Sequence, residues 1–194
     1  MKSTPLSHII LATPPSRTRS KMDLYSTPVA VTTALVEFLS LPQDTAVWEC
    51  ASGKGQMSRV LERYYTRVVS SDLYDHGYKE SGIDFLLQAH TYDCNWIITN
   101  PPFSSSAEFI EHAMTLELDG FAFLMKSQYW HAKTRHALFL KRRPRFILPL
   151  LWRPDFSNSG KSPTMDCLWT VWDKQDNPVT QYIPLPRPAC GSLT

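Results

Sequence analysis

The sequence predicts an α/β fold, a doubly wound and mostly parallel sheet with an antiparallel last strand, and three observations predict it. Short uncharged apolar runs alternate with amphipathic stretches of helical period between Pro28 and Asp173. A Gly-x-Gly turn, Gly53-Lys54-Gly55, stands between the first such run and the helical stretch that follows it. Polar residues stand where runs end, Asp72 after the second and Asn100 after Trp96 to Thr99, where an open α/β sheet holds its ligands.

With 194 residues, 43% of them hydrophobic and 20% charged, the chain has room for one domain with a full core, plus tails. The expected division is a disordered basic arm over 1–22, a folded domain over 23–173 and a Pro-rich tail over 174–194. The arm carries Lys2, Arg17, Arg19 and Lys21 with several prolines and no acid before Asp23, a composition that cannot build a core. It reads equally well as a nucleic-acid contact and as a solvated tail. Cys50, Cys94, Cys167 and Cys190 are dispersed without a Cys-x-x-Cys pair or a matching histidine spacing, so neither a metal site nor a disulfide framework is expected. The apolar run Ile9 to Ala12 is too short for a signal-peptide core, and no run approaches the length of a membrane span. A cytoplasmic protein with no membrane partner is the expectation.

In order along the chain, Thr27-Pro28 reads as a helix cap followed by proline at the first helical position. The helix runs to about Ser40 with Val29, Thr32, Leu35, Val36 and Leu39 on one face, and it stops before Pro42. Thr45 to Glu49 is a buried strand closing on an acid. The glycine turn follows, and a helix from Gln56 to about Tyr65 presents Met57, Val60, Leu61 and Tyr64. Gly53-Lys54-Gly55-Gln56 lacks the spacing of a phosphate-binding P-loop and of a full dinucleotide fingerprint, which points to a nucleoside without a pyrophosphate. Arg67 to Ser71 is the second strand. Asp72 at its end either accepts from a ribose diol or caps the next turn. Ile83 to Leu86 reads as a brief strand, in which Asp84 either accepts from an adenine amine, with Phe85 beside the ring, or is a surface acid next to a core phenylalanine.

Trp96 to Thr99 is bulky and uncharged, and Pro101 and Pro102 end it because neither has a backbone N–H. The loop Asn100-Pro101-Pro102-Phe103 then offers a side-chain amide, a stiff carbonyl and an aromatic ring in succession. A nucleobase amine is a poor nucleophile because its lone pair is delocalised into the ring. Two acceptors, Asn100 Oδ1 and the Pro101 carbonyl, can take its N–H bonds and draw the nitrogen toward tetrahedral geometry, while Phe103 stacks on the base. The fixed φ of both prolines keeps those acceptors in place. The plain alternative is a Pro-Pro turn whose phenylalanine packs inward.

Ser104 to Leu118 reads as a helix closed by Asp119-Gly120, and Gly120 to Met125 as a strand. From Gly120 to Pro154 there are eight bases, Lys126, Lys133, Arg135, Lys141, Arg142, Arg143, Arg145 and Arg153, with interleaved aromatics and no acid. Such a field suits a phosphate backbone, or else it is neutralised by acids elsewhere, such as Glu108, Glu111 and Glu117. Phe146 to Trp152 and Asp166 to Trp172 are the closing strands, paired antiparallel across a polar loop.

These pieces resemble a Rossmann-like class I S-adenosylmethionine-dependent methyltransferase, and the Asn-Pro-Pro-Phe loop is similar to that of the DNA adenine-N6 methyltransferases, small phage and prophage members above all. The likeness covers 23–173, which it implies is the methyltransferase catalytic domain, in the host cytoplasm if phage-encoded. It implies S-adenosylmethionine as cofactor and methylation of the adenine N6 amine in DNA, double-stranded DNA first. Asn100, Pro101, Pro102 and Phe103 match the catalytic motif. Tyr25, Thr27 and Pro28 fall in the amino-terminal cofactor motif. Glu49, Ala51, Gly53 and Gly55 fall in the glycine-turn motif, where Cys50 replaces a common proline. Asp72 with Leu73, and Asp84 with Phe85, fall where the ribose and adenine are held, and Asn100 also borders the cofactor. The group's sequence-specific members carry a target-recognition domain for which 174–194 is too short, so low sequence specificity or a partner subunit is expected. Two alternatives stay open: an RNA base amine as the target, and a non-catalytic nucleic-acid-binding protein on the same fold.

Overall fold

The structure is a computed structural model, and it describes residues 26–157, 163–174 and 178–189. The basic arm, Tyr25 and the middle of the loop between the closing strands lie outside the described residues.

Seven strands make one sheet: β1 (Ala46–Glu49), β2 (Arg67–Ser70), β3 (Trp96–Thr99), β4 (Gly120–Lys126), β5 (Phe146–Pro149), β6 (Cys167–Asp173) and β7 (Gln181–Tyr182). Their order is β2-β1-β3-β4-β6-β5-β7. The pairs β1–β2, β1–β3, β3–β4 and β5–β7 are parallel, and β6 runs antiparallel to both β4 and β5. The mostly parallel sheet with one reversed strand is as the sequence predicts, and the reversed strand inserts between its two predecessors. Because side chains alternate across a strand, each run feeds two cores. Val47, Ile98, Leu124 and Trp169 meet the helices α1 (Val29–Leu39) and α2 (Gln56–Tyr64) on one face. Trp48, Ile97, Phe121, Phe123 and Trp172 meet α3 (Ser106–Ala113) on the other. Residues on both faces of the sheet are fully buried, so the runs read as continuous apolar stretches rather than alternating ones. Gly120 opens β4 because the Trp96 ring crosses it: a Cβ there would lie 2.4 Å from that ring and 2.7 Å from the Trp172 carbonyl oxygen.

Several elements differ from expectation for local reasons. The α1 stripe is rotated, with Val29 exposed and Val31 buried, and the Trp169 indole donates to the Val31 carbonyl at 3.1 Å. Thr27 does not cap α1; the boundary residue is Pro28, and no side chain caps the helix. Residues 83–86 are not a strand, because the Asp84 carboxylate accepts from the Leu86 N–H at 3.0 Å and starts a short 3₁₀ turn, Phe85–Leu87. α3 stops at Ala113, where the Thr115 hydroxyl donates to the His112 carbonyl at 2.7 Å. The basic region after β4 folds as 3₁₀ turns and the helix α4 (His136–Lys141). The Pro-rich segment is extended but docked: β7 lies along β5, and Leu185 bridges Leu150 and is buried. No helix among the described residues is long and apolar enough to cross a membrane.

Candidate functional site

The carboxyl ends of β1, β2 and β3 converge on one cavity. After Glu49 the chain bends back through Gly53 and Gly55, whose φ values of 53° and 77° are left-handed. Glycine is required twice over at position 55, since a Cβ there would sit 2.4 Å from the Tyr78 ring. Asp72 holds this turn: its Oδ2 accepts from the Gly53 N–H at 2.8 Å and its Oδ1 from the Tyr74 N–H at 2.9 Å. Asp72 therefore caps the neighbouring turns, one of the two roles the sequence allows it, and His76 Nε2 lies 3.7 Å from its Oδ1.

The cavity has a volume of about 310 Å³, within the range of small-ligand sites. Ala51, Asp72, Leu73, Asp84, Phe85 and Pro102 line it, all of them expected site residues. Its walls are mainly apolar, with carboxylates from Asp72, Asp84 and Glu108. Phe85 is buried and held against Trp48, Phe109 and His112 with ring centroids 5.3, 4.7 and 4.8 Å away. Cys50, Tyr74, Ser104, Ser105, Glu108 and Phe109 also line the cavity, and none of them was expected as a site residue. Glu108 and Phe109 carry no local signal; the first turn of α3 brings them in. Thr27, Pro28, Glu49, Gly53, Gly55 and Asn100 stand around the cavity rather than in its wall.

Glu49 lies beneath the turn, buried, and accepts a short hydrogen bond from the Ser58 hydroxyl. Ser58 in turn accepts from the Ser70 hydroxyl at 2.8 Å, so β1, α2 and β2 are tied by one buried chain. Burial pushes the Glu49 carboxyl up to about 8, against the opposing pull of its bond to Ser58.

Asn100 stands at the end of β3. Its Nδ2 donates to Thr27 Oγ1 at 3.1 Å, which brings together residues 73 apart in sequence. Its Oδ1 is buried with no hydrogen-bond partner among the described residues. A buried acceptor without a donor is costly unless a ligand supplies one. Pro101 is buried, Pro102 faces the cavity, and the half-buried Phe103 carries the Lys126 ammonium 4.8 Å above its ring. Phe103 therefore does not simply pack inward.

The basic stretch divides. Arg145 pairs with the Asp173 carboxylate, and Arg142 donates to the Asp173 carbonyl at 2.8 Å. Arg143 donates to the Pro178 carbonyl at 2.8 Å and Arg153 to the Asp166 carboxylate at 2.8 Å. These four guanidinium groups hold the closing strands, and their acidic partners are Asp166 and Asp173 rather than Glu108, Glu111 or Glu117. Lys126 and Arg135 stay beside the Asn100 loop.

No protein-family model and no curated protein matches the chain. Solved structures do. A type I restriction-modification methyltransferase subunit from Streptococcus thermophilus superposes with a TM-score of 0.64 at 12% identity, over 83% of this chain and 47% of that one. A putative RNA methyltransferase from Pyrococcus horikoshii gives 0.61 at 14% identity, over 80% of this chain and 90% of that one. A putative class I S-adenosylmethionine-dependent methyltransferase from Listeria monocytogenes gives 0.60 at 12% identity, over 87% and 68%. The chain thus spans about half the length of the restriction-modification subunit it matches. At such identities the likeness is one of architecture, and with the strand order above it shows that the chain has the Rossmann-like fold of the class I S-adenosylmethionine-dependent methyltransferases.

Proposed function

We propose that the chain is an S-adenosylmethionine-dependent methyltransferase acting on the N6 amine of adenine in DNA, with low sequence specificity. The observation that carries the reading is the Asn100 amide, tied by its Nδ2 to Thr27 with its buried Oδ1 left unsatisfied. An acceptor held in that way awaits a donor, and an exocyclic amine is one.

The cavity fits the nucleoside part of the cofactor. Asp72, Leu73, Asp84 and Phe85 line it; there Asp72 would hold the ribose hydroxyls, and Asp84, Leu73 and Phe85 would hold the base. Ala51, Gly53 and Gly55 let the backbone approach, and Glu49 supports that turn from below. Thr27 and Pro28 would border the methionine end. The cofactor supplies a methyl group already activated on a sulfonium.

Asn100 Oδ1 and the Pro101 carbonyl accept the two N–H bonds of the target amine and localise its lone pair. Pro102 and Phe103 fix the plane of the base. The nitrogen–carbon bond would form as the sulfur–methyl bond breaks and its electron pair returns to sulfur, leaving a neutral thioether; the methylated amine would release one proton to water, since neither an amide nor a carbonyl is a base at neutral pH. Extruding the base from a duplex costs a few kcal/mol.

An RNA base amine is the second reading, and one observation favours it: the putative RNA methyltransferase from Pyrococcus horikoshii is matched over 90% of its length. Transfer of tritiated methyl from S-adenosylmethionine to unmethylated duplex DNA, with total RNA in parallel and Asn100→Ala as control, tests both. N6-methyladenine in DNA that disappears in the variant is the expected result. Label in RNA alone moves the substrate, and DNA binding without cofactor binding leaves a non-catalytic protein.

A further inference from the structure

The Pro102-to-Ser106 turn is a wall between two cavities. Pro102, Ser104 and Ser105 line the cofactor-sized one; Phe103, Ser104 and Ser106 line a second, of about 400 Å³, whose other walls are Lys126, Gln128, Tyr129 and Arg135. Among the described residues the second cavity is lined by two cations and no acid. Neither cation has an ion-pair partner among the described residues; each lies on an aromatic ring instead. The Lys126 ammonium is 4.8 Å above Phe103, and the Arg135 guanidinium is 4.0 Å above Tyr129 while donating to the Tyr129 carbonyl at 3.0 Å. Tyr129 is buried, and its hydroxyl has no hydrogen-bond partner among the described residues. Glu108 and Glu111 are near enough to act on the phenol, yet among the described residues neither cation forms an ion pair, so the two cations and the phenol are donors without a bound acceptor.

We propose that this second cavity binds a phosphodiester of the nucleotide strand that carries the target base, with Lys126, Arg135 and the Tyr129 hydroxyl as its donors. The inference rests on the methyltransferase reading for which base enters, but not for the anion itself. A phosphate fits the donor set because it offers several acceptor oxygens to guanidinium, ammonium and hydroxyl at once. Its place also fits: the Asn100 acceptor and the Phe103 ring lie on the same turn, so a strand anchored here presents its adjacent base to that turn. Both cations are preorganised by their rings, so little side-chain freedom is lost when the anion arrives.

The test is binding of labelled single-stranded and duplex DNA, and of the same sequence as RNA, to the full chain across a salt series. Lys126→Met and Arg135→Gln are each expected to weaken binding about tenfold and to lower the log–log salt slope by about one. Tyr129→Phe is the discriminating variant. Its hydroxyl has no well-aligned hydrogen-bond partner among the described residues, so the thermal midpoint is expected to hold while affinity falls about threefold to tenfold, the value of one hydrogen bond. S-adenosylmethionine affinity stays unchanged in all three. Unchanged nucleic-acid affinity and slope in the folded variants would overturn the proposal, as would a Tyr129→Phe protein that loses stability but not affinity. The wild-type protein separates this from the reaction itself. Variants that lose binding in a protein that methylates no base leave the anion site standing and remove the methyltransferase reading. Variants that bind and turn over normally in a protein that does methylate remove only the anion site.

Discussion

The Asn100 Nδ2 reaches Thr27 Oγ1 across 3.1 Å, so the residue before the proline that opens α1 sets the orientation of the amide at the end of β3. Thr27 is buried and does not cap its helix; its hydroxyl fixes which end of the Asn100 amide is tied down and which is left without a partner among the described residues.

That orientation is testable. Thr27→Val keeps the shape and removes the acceptor, and it is expected to lower kcat about tenfold, one hydrogen bond's worth of transition-state alignment. Thr27→Ser restores the hydroxyl and is expected to stay within about twofold. Steady-state kinetics and cofactor titration separate the roles: if Thr27 acts mainly on the cofactor, the Kd for S-adenosylmethionine rises and kcat holds.

Glu49 makes stability depend on pH in an unusual direction for a carboxyl. Its folded value, about 8, lies above its ordinary value of 4.5, so the native state keeps a proton that the unfolded state releases. Its contribution is complete below about pH 4.5 and is lost as pH rises toward 8, with a limiting slope of about 1.4 kcal/mol per pH unit. Urea unfolding of the wild type from pH 5 to 8 is expected to show this decline after subtraction of the Glu49→Gln baseline. Glutamine still accepts from Ser58 and carries no titrating proton, so the variant is expected to be the more stable protein at pH 8. Parallel curves for the two proteins would show that Glu49 is ionised in the fold.

Gly55 is fixed by two demands, a left-handed φ of 77° and the Tyr78 ring 2.4 Å from where a Cβ would stand. Gly55→Ala is expected to cost about 1 to 2 kcal/mol in backbone conformation alone. Pairing it with Tyr78→Ala removes the ring, and the double variant is expected to recover part of the loss. Full additivity of the two changes in denaturant unfolding would mean that the ring yields without strain.

What was legible in the sequence had a short-range cause. The strands at Val47, Ile97 and Phe121 show as uncharged runs because both sheet faces are covered, and the turn at Gly53 and Gly55 shows because only glycine tolerates its backbone. Asp72 and Pro102 were placed at the cavity because strand ends in this fold converge, and Asp84 and Phe85 by the resemblance alone, since no strand carries them there. Contacts made across the sheet left no local mark. Glu108 looked like an ordinary helix acid, the Thr27–Asn100 bond joins distant segments, and four arginines that read as a phosphate field hold Asp166, Asp173 and backbone carbonyls. The strand at Ile83 failed because one Asp84 bond to the Leu86 N–H outweighs the strand preference of two apolar neighbours.

The Pro-rich segment after Asp173 is the clearest case of composition concealing structure, and it gives the last prediction. Four prolines within 178–188 suggest a solvated extension, yet an extended chain with prolines off the paired positions can still close a sheet edge. The Ile183 N–H donates to the Ile147 carbonyl at 3.0 Å, the Leu185 N–H to the Pro149 carbonyl at 2.8 Å, and the Leu151 N–H to the Leu185 carbonyl at 2.9 Å. Leu185 itself enters the core that also contains Leu148, Leu150 and Trp169. Leu185→Ala is therefore expected to destabilise the protein by about 2 to 3 kcal/mol, the low end for a buried leucine because a surface segment can partly collapse. Tyr182, exposed on the same segment, provides the control, and Tyr182→Ser is expected to change stability by less than about 0.5 kcal/mol. Equal midpoints for both variants and the wild type in urea unfolding would mean that β7 adds no stability, and that β5 is the effective edge of the sheet.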